Sequence, residues 1–224
     1  MQGKTIVVTG AFGILGRAVA ALAAARGAKV AMLDIAVPPA NPVAGAIAIA
    51  ADLTISDVAM SAMRRVRDET GRIDALLNIA GGFAWQTVAV GDPKTWDRMF
   101  TLNLKTALNA TKAALPFLIE SKGAIVNVGA NAALNAGAGM GAYAASKAGV
   151  HKLTESLAQE MKGRVRVNAV LPSILDTPRN RADMPKADPS TWVKPDDLAK
   201  VILFLASDEA RDITGALLPV TGRV

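Results

Sequence analysis

Tyr143 and Lys147, in Tyr-Ala-Ala-Ser-Lys, stand four residues apart, a spacing that on a helix brings both side chains to one face, a turn from each other. A tyrosine hydroxyl titrates at about pH 10 unperturbed. A neighbouring ammonium favours its anion and draws the phenol toward general acid/base strength, so the pair has the makings of proton-transfer machinery. Tyr143 is the chain's only tyrosine, which argues against an incidental place on a helix surface.

A second group of residues suits a phosphate-bearing cofactor. Thr9-Gly10-Ala11-Phe12-Gly13-Ile14-Leu15-Gly16 lies between a β-branched run and an Ala-rich one. There the glycines let backbone approach a pyrophosphate, and the N–H groups that open a helix point at it. The next β-like run ends in Asp34, 18 residues after Gly16, where a carboxylate accepts hydrogen bonds from an adenosine ribose. Its charge opposes the 2′-phosphate of NADP, and Ile35, Ala36 and Val37 bring no cation, so NAD(H) is expected over NADP(H). Arg17, opening the first helix, reads as a solvated helix residue, the alternative being that it reaches round to offset this.

The elements that must position these groups follow from hydrophobic periodicity. Strands are predicted at Thr5 to Thr9, Lys29 to Leu33, Ala46 to Ala50, Ala75 to Asn78, Ala124 to Val128, Val165 to Val170 and Ala216 to Val220. Helices are predicted at Ile14 to Arg26, Asp57 to Thr70, Thr95 to Glu120, Gly141 to Met161 and Pro195 to Ala206. The alternation predicts an α/β, Rossmann-type doubly wound sheet of seven mostly parallel strands with helices on both faces, a single domain over residues 1–224. Five prolines between Pro172 and Pro195 preclude an uninterrupted helix, and this stretch follows the sixth strand, so residues 172–195 are expected to form a loop over the substrate.

Composition narrows the function further. With no Cys and one His, zinc or iron would depend almost wholly on carboxylates, so no metal is expected. The net charge of +6 is scattered along helices without stacking aromatics, which argues against nucleic acid. No apolar run has the length of a bilayer span and no leader pattern opens the chain, so no membrane contact and a cytoplasmic location are expected.

Taken together, these motifs resemble the short-chain dehydrogenase/reductase family along nearly the whole chain. Tyr143-x-x-x-Lys147 matches the family's catalytic pair, and Asn78-Ile79-Ala80-Gly81 is similar to its Asn-Asn-Ala-Gly motif. The resemblance implies that Asn103 supports a water relay to Lys147 and that Asp52-Leu53 meets the adenine edge. It further implies that Pro172, Leu175 and Thr177 border the nicotinamide, with Thr177 bonding the carboxamide. Gly10, Phe12, Gly13, Ile14, Leu15 and Gly16, together with Asp34, Asn78, Ala80, Gly81, Tyr143 and Lys147, complete the implied cofactor contacts.

Two departures refine the expectation. The family's usual serine lies 13 residues before the tyrosine, and here that position is Ala130. Losing one donor to a developing oxyanion costs roughly 2.7–4 kcal/mol. The Asn131 amide is one substitute, although adjacent residues at a strand end point to opposite sides. The glycine loop is also Gly-x-x-Gly-x-x-Gly, tighter than the common family form. Both features, with Ala80-Gly81-Gly82-Phe83 and Leu175 to Arg181, resemble the dihydropteridine reductases, a serine-lacking branch.

That resemblance implies hydride transfer from NADH to a quinonoid or imine-like ring such as a dihydropterin, with Phe83, Trp85 and Trp192 stacking on it. The alternatives are an alcohol or ketone oxidoreductase, acting on a 3-oxoacyl or ring ketone with Asn131 or backbone donors in place of serine, and a non-catalytic dinucleotide sensor. His151, a further turn along the Tyr143 helix, reads as a packed or interface residue. The Ala-rich long helices allow close approach, and the family pairs them between subunits, so a homodimer or homotetramer acting on a small-molecule substrate is expected.

Overall fold

The computed structural model describes residues 1–223. The elements run β1 (Thr5–Thr9), α1 (Ile14–Ala25), β2 (Lys29–Asp34), β3 (Ile47–Ala50), α2 (Ser56–Thr70), β4 (Ala75–Asn78) and α3 (Lys94–Phe100). They continue with α4 (Thr106–Ser121), β5 (Ala124–Val128), α5 (Gly141–Glu160), β6 (Arg166–Pro172), α6 (Pro178–Asp183), α7 (Pro195–Ala206) and β7 (Leu217–Val220). The strands form one sheet in the order β3-β2-β1-β4-β5-β6-β7, and every adjacent pair is parallel.

Strand residues alternate between two apolar layers, as the period of 2 requires. Ile6, Val8, Met32 and Leu77 meet α1 and α7 on one face, whereas Val7, Leu33, Leu76 and Ile125 meet α2, α4 and α5 on the other. With helices on both faces, β1 and β4 are buried at every residue, which explains their unbroken apolar runs. Each fully buried Leu or Ile among these stabilises the fold by about 1.5–3 kcal/mol. Strand order reverses between β1 and β4, so a crevice opens beyond their carboxyl ends.

Three local features differ from a plain β-α-β alternation. No helix joins β2 to β3; residues 35–46 carry Pro38, Pro39 and Pro42 and cross as an exposed connection. The long helix expected at Thr95 to Glu120 contains a π-helical stretch, Thr101–Lys105, between α3 and α4. The segment after β6 holds α6, a 3-10 turn at Pro189–Thr191 and a bridge between Leu175 and Val193. Thr177 caps α6 by accepting from the Asn180 N–H at 3.2 Å, with Pro178 at the first helical position.

Candidate active site

Steric demands build the glycine loop. Gly10 has φ +61°, and a Cβ there would stand 2.7 Å from the Ala80 Cα; a Cβ on Gly16 would overlap the Gly10 carbonyl oxygen. Gly13 differs, because a Cβ would meet only the Gly10 oxygen at 3.4 Å. Among the described residues, nothing else comes within contact of that position. Gly13 also caps α1 without a side-chain bond, and no carboxylate lies in the first turn. The opening N–H groups and the positive end of the helix dipole therefore face the crevice.

That crevice is a cleft of about 290 Å³ lined by Gly10, Gly13, Gly16, Asp34, Asp52, Leu53, Ala80 and Gly81 among others. A glycine-floored cleft with uncapped N–H groups at one end and carboxylates at the other fits a dinucleotide. Asp34 is aimed by two backbone donors, Phe12 N–H at 2.9 Å and Ala36 N–H at 3.1 Å. Phe12 thus contributes through its backbone while its ring packs against the core, and Ile14 is half exposed at the first turn of α1. Arg17 folds back so that Nε donates to the Phe12 carbonyl at 2.9 Å. The Asp52 carboxylate accepts from the Thr54 N–H and hydroxyl, and the Leu53 carbonyl accepts from the Asn109 amide.

Asn78 does not turn its side chain to the cofactor cleft. Its Nδ2 donates to Thr111 Oγ1 at 3.1 Å and to Asn127 Oδ1 at 2.9 Å, and Asn127 in turn donates to Thr154 Oγ1 at 2.9 Å. Asn78 shares its strand face with Leu76, so it belongs to the helix-covered side and ties β4 to β5. Thr9 is a position that motif reasoning missed. Its hydroxyl oxygen accepts from the Ile79 and Ala80 N–H groups, each at 3.1 Å, and holds the start of the loop after β4.

Asn103, in the π-helical stretch, is buried and ties that loop to α5. It accepts from the Gly82 N–H at 2.8 Å and donates to the Gly82 carbonyl at 3.1 Å and to Ser146 Oγ at 2.8 Å. Such stretches re-aim side chains at functional sites. Ser146 donates to the Tyr143 carbonyl at 2.7 Å, which links Asn103 to the first turn of α5.

Lys147 is buried one turn beyond Tyr143, and its Nζ donates to the Val128 carbonyl at 2.7 Å. Burial lowers its pKa to about 8. Tyr143 moves against expectation, because burial pushes its pKa up to about 12. The ammonium does not offset this, being turned to Val128 and weakened by its own desolvation. Tyr143 therefore rests as a protonated phenol. Phe83 meets its ring edge-on at 5.0 Å and 76°.

Ala130 is buried in an extended conformation, and its N–H donates to His151 Nε2 at 3.3 Å. That bond removes one of the backbone donors that could have replaced the serine. Asn131 opens the 3-10 turn Asn131–Ala133 and is partly exposed. Phe83 and Trp85 are exposed, with Trp85 Nε1 bonded to the Ala138 carbonyl at 3.0 Å. Trp192 is only 5% exposed, so its ring has no open face for a flat ligand, contrary to expectation.

Seven parallel strands, a glycine-floored crevice at the switch point and a Tyr-Lys pair on the helix after β5 define a dinucleotide-dependent oxidoreductase. Residues 4–188 match the short chain dehydrogenase family. A 3-oxoacyl-acyl-carrier-protein reductase of Thermotoga maritima is 34% identical, covering 99% of this chain and 98% of its own. The ligand-free aldohexose dehydrogenase of Thermoplasma acidophilum superposes with a TM-score of 0.91 at 32% identity, over 99% of this chain and 93% of that one. Carveol dehydrogenase of Mycobacterium avium, solved with NAD, gives 0.88 at 25% identity, over 99% and 97%. The chain belongs to the short-chain dehydrogenase/reductase family, and with it to the nicotinamide-dinucleotide oxidoreductases.

Proposed function

We propose that this chain is an NAD(H)-dependent alcohol/ketone oxidoreductase in which Tyr143 delivers or removes the proton on the substrate oxygen. The observation that carries this is Tyr143 itself, a partly buried phenol held protonated by desolvation one turn from a buried lysine. Reduction of a ketone needs such an acid, because the developing alkoxide is far more basic than the phenol. The names of similar proteins, 3-oxoacyl reductase, aldohexose dehydrogenase and carveol dehydrogenase, favour carbonyl and hydroxyl chemistry over pterin reduction.

The chain's own residues divide the remaining work. Gly10, Gly13 and Gly16 let backbone approach the pyrophosphate, Asp34 takes the ribose hydroxyls, and Asp52 and Leu53 border the adenine. Pro172, Leu175 and Thr177 border the nicotinamide; the Thr177 oxygen accepts from Asn180, which leaves its hydroxyl hydrogen free to donate. When bound, the dinucleotide supplies or accepts the hydride. Lys147 and Asn103 support proton return to Tyr143, and Asn131 supplies the donor that the family takes from serine, since the Ala130 N–H is engaged elsewhere. Residues 172–195 cover the substrate as part of a single domain. The exposed Trp96, Phe100 and Leu108 favour assembly through the α3–α4 face as a homodimer or homotetramer.

A second reading rests on Ala130 and the exposed Phe83 and Trp85, which suit a flat quinonoid ring needing less clamping at a single oxygen. Steady-state assays with NADH against cyclic and 3-oxoacyl ketones, alcohols with NAD, and a quinonoid dihydropterin decide between the two. Turnover of ketones or alcohols with the pterin inert is expected. Pterin turnover alone would reverse the order, and NADH binding with no acceptor reduced would leave a sensor.

A further inference from the structure

A buried titratable group outside this machinery is His151, the chain's only histidine. It stands on the face of α5 that carries Tyr143 and Lys147, one turn beyond the lysine. Its ring lies directly beneath the segment where the family's serine is missing. A Cβ on Gly129 would stand 2.5 Å from His151 Nε2 and 2.7 Å from Cδ2, so the imidazole fills the volume that a side chain at residue 129 would need. The next residue, Ala130, donates its N–H to Nε2 at 3.3 Å. Glycine at 129 and histidine at 151 are thus one fitted unit, closed by the Ala130 amide.

Resting on the oxidoreductase reading above, we infer that neutral His151 is a positioning residue that holds Ala130, and through it Asn131, at the substrate oxygen, and lets that segment go when protonated. An imidazole that accepts at Nε2 carries its proton on Nδ1. Protonation would set two N–H groups against each other at the Ala130 amide, and the bond would be lost.

The surroundings favour the neutral form. Lys147 and Lys152 on the same helix oppose a positive charge, Glu155 favours one, and Gly129, Ala130 and Leu171 from the strands above bring none. Burial and Lys147 hold the pKa below its ordinary value. The glycine loop and Asp34 make no bond to His151, so the adenosine end of the site should not feel its titration.

Because there is one histidine, the imidazole nitrogen signals of the 15N-labelled full-length chain are unambiguous. The expected spectrum has the proton on Nδ1 at neutral pH, and the Ala130 amide shifts with the same midpoint as the ring. His151→Gln keeps an acceptor that does not titrate: turnover at neutral pH should stay near wild type and the acidic fall in kcat should vanish. His151→Leu keeps bulk without an acceptor; kcat should fall about tenfold, the worth of one hydrogen bond, with NADH affinity unchanged.

An Ala130 amide that ignores the histidine titration overturns the inference, as does an acidic limb that persists in His151→Gln. If His151→Leu fails to fold, the wild-type spectrum and the Gln variant still decide. A wild-type chain that turns over no acceptor refutes the oxidoreductase reading. The coupled titration of the two nuclei then judges the His151–Ala130 contact by itself.

Discussion

The two ends of the cleft are built on different principles. At the adenosine end the protein works through backbone: Gly10 and Gly16 are forced by close approach, Gly13 is left open, and Asp34 is aimed by two main-chain N–H groups. At the substrate end it works through side chains that hold one another, with Asn103 on Gly82 and Ser146, Lys147 on Val128 and His151 on Ala130. Backbone contacts tolerate many sequences and fix a cofactor common to a whole family. A side-chain lattice changes with single substitutions, as Ala130 in place of serine illustrates, and it is where an individual substrate can be chosen.

The sharpest way to break this contrast is at the proton donor. Tyr143→Phe keeps the ring against Phe83 and removes only the hydroxyl, so kcat should drop about 10³-fold, the scale of general acid catalysis. NADH affinity measured by fluorescence should hardly move. Ketone turnover that survives in this variant would sink the assignment of Tyr143.

Next in size is a comparison inside the adenosine end. Gly10→Ala pays for a left-handed backbone and for overlap with Ala80, and should destabilise the fold by about 3 kcal/mol or more. Gly13→Ala meets only ordinary contact, so stability by urea melting should change by less than about 1 kcal/mol while NADH affinity falls. Equal destabilisation of the two would mean that Gly13 serves the fold and not the ligand.

Lys147→Met should separate stability from activity at the substrate end. A pKa lowered from 10.5 to about 8 means that the folded state resists the charge. The cost, about 3 kcal/mol, is fully present below pH 8 and is relieved as pH rises toward 10.5, where the unfolded chain still binds the proton. The variant loses the bond to Val128, worth about 1 kcal/mol, and should gain about 2 kcal/mol at neutral pH while turnover collapses. A less stable variant, or wild-type stability that does not rise between these pH values apart from other groups, would refute the buried-charge account.

How much of this was legible in the sequence follows the same division. The strand ends, the glycine loop, Asp34 and the Tyr143–Lys147 face are local patterns, and the structure brings the glycine loop and Asp34 to one crevice with Tyr143 and Lys147 one turn apart on α5. The orientation of Asn78 was legible too, since parity with Leu76 assigns it to the helix-covered face, but motif matching overrode that signal. The π-helical stretch at Thr101–Lys105 leaves no mark in a helical apolar period, because one widened turn shifts the phase only locally. The burial of Trp192 and the meeting of His151 with Ala130 are tertiary facts, the second joining a backbone donor to a side chain 21 residues away. The raised pKa of Tyr143 comes from desolvation in the folded chain, and no spacing encodes that.

The smallest expected effect lies with Asp34 at the adenosine end. Asp34 and a ribose 2′-phosphate at about 4 Å would repel by between about 1 and 4 kcal/mol, depending on how much water screens them. Asp34→Ala removes that repulsion and also frees the Phe12 and Ala36 N–H groups, two donors able to meet phosphate oxygens. Arg17 is already bonded to the Phe12 carbonyl and can add a cation nearby. The ratio of kcat/KM for NADH over NADPH should therefore fall about tenfold in the variant, and Asp34→Ala/Arg17→Ala should recover part of the loss by weakening NADPH. A ratio that stays put in Asp34→Ala would mean that the carboxylate does not read the ribose, and the adenosine end would then select its cofactor by shape alone.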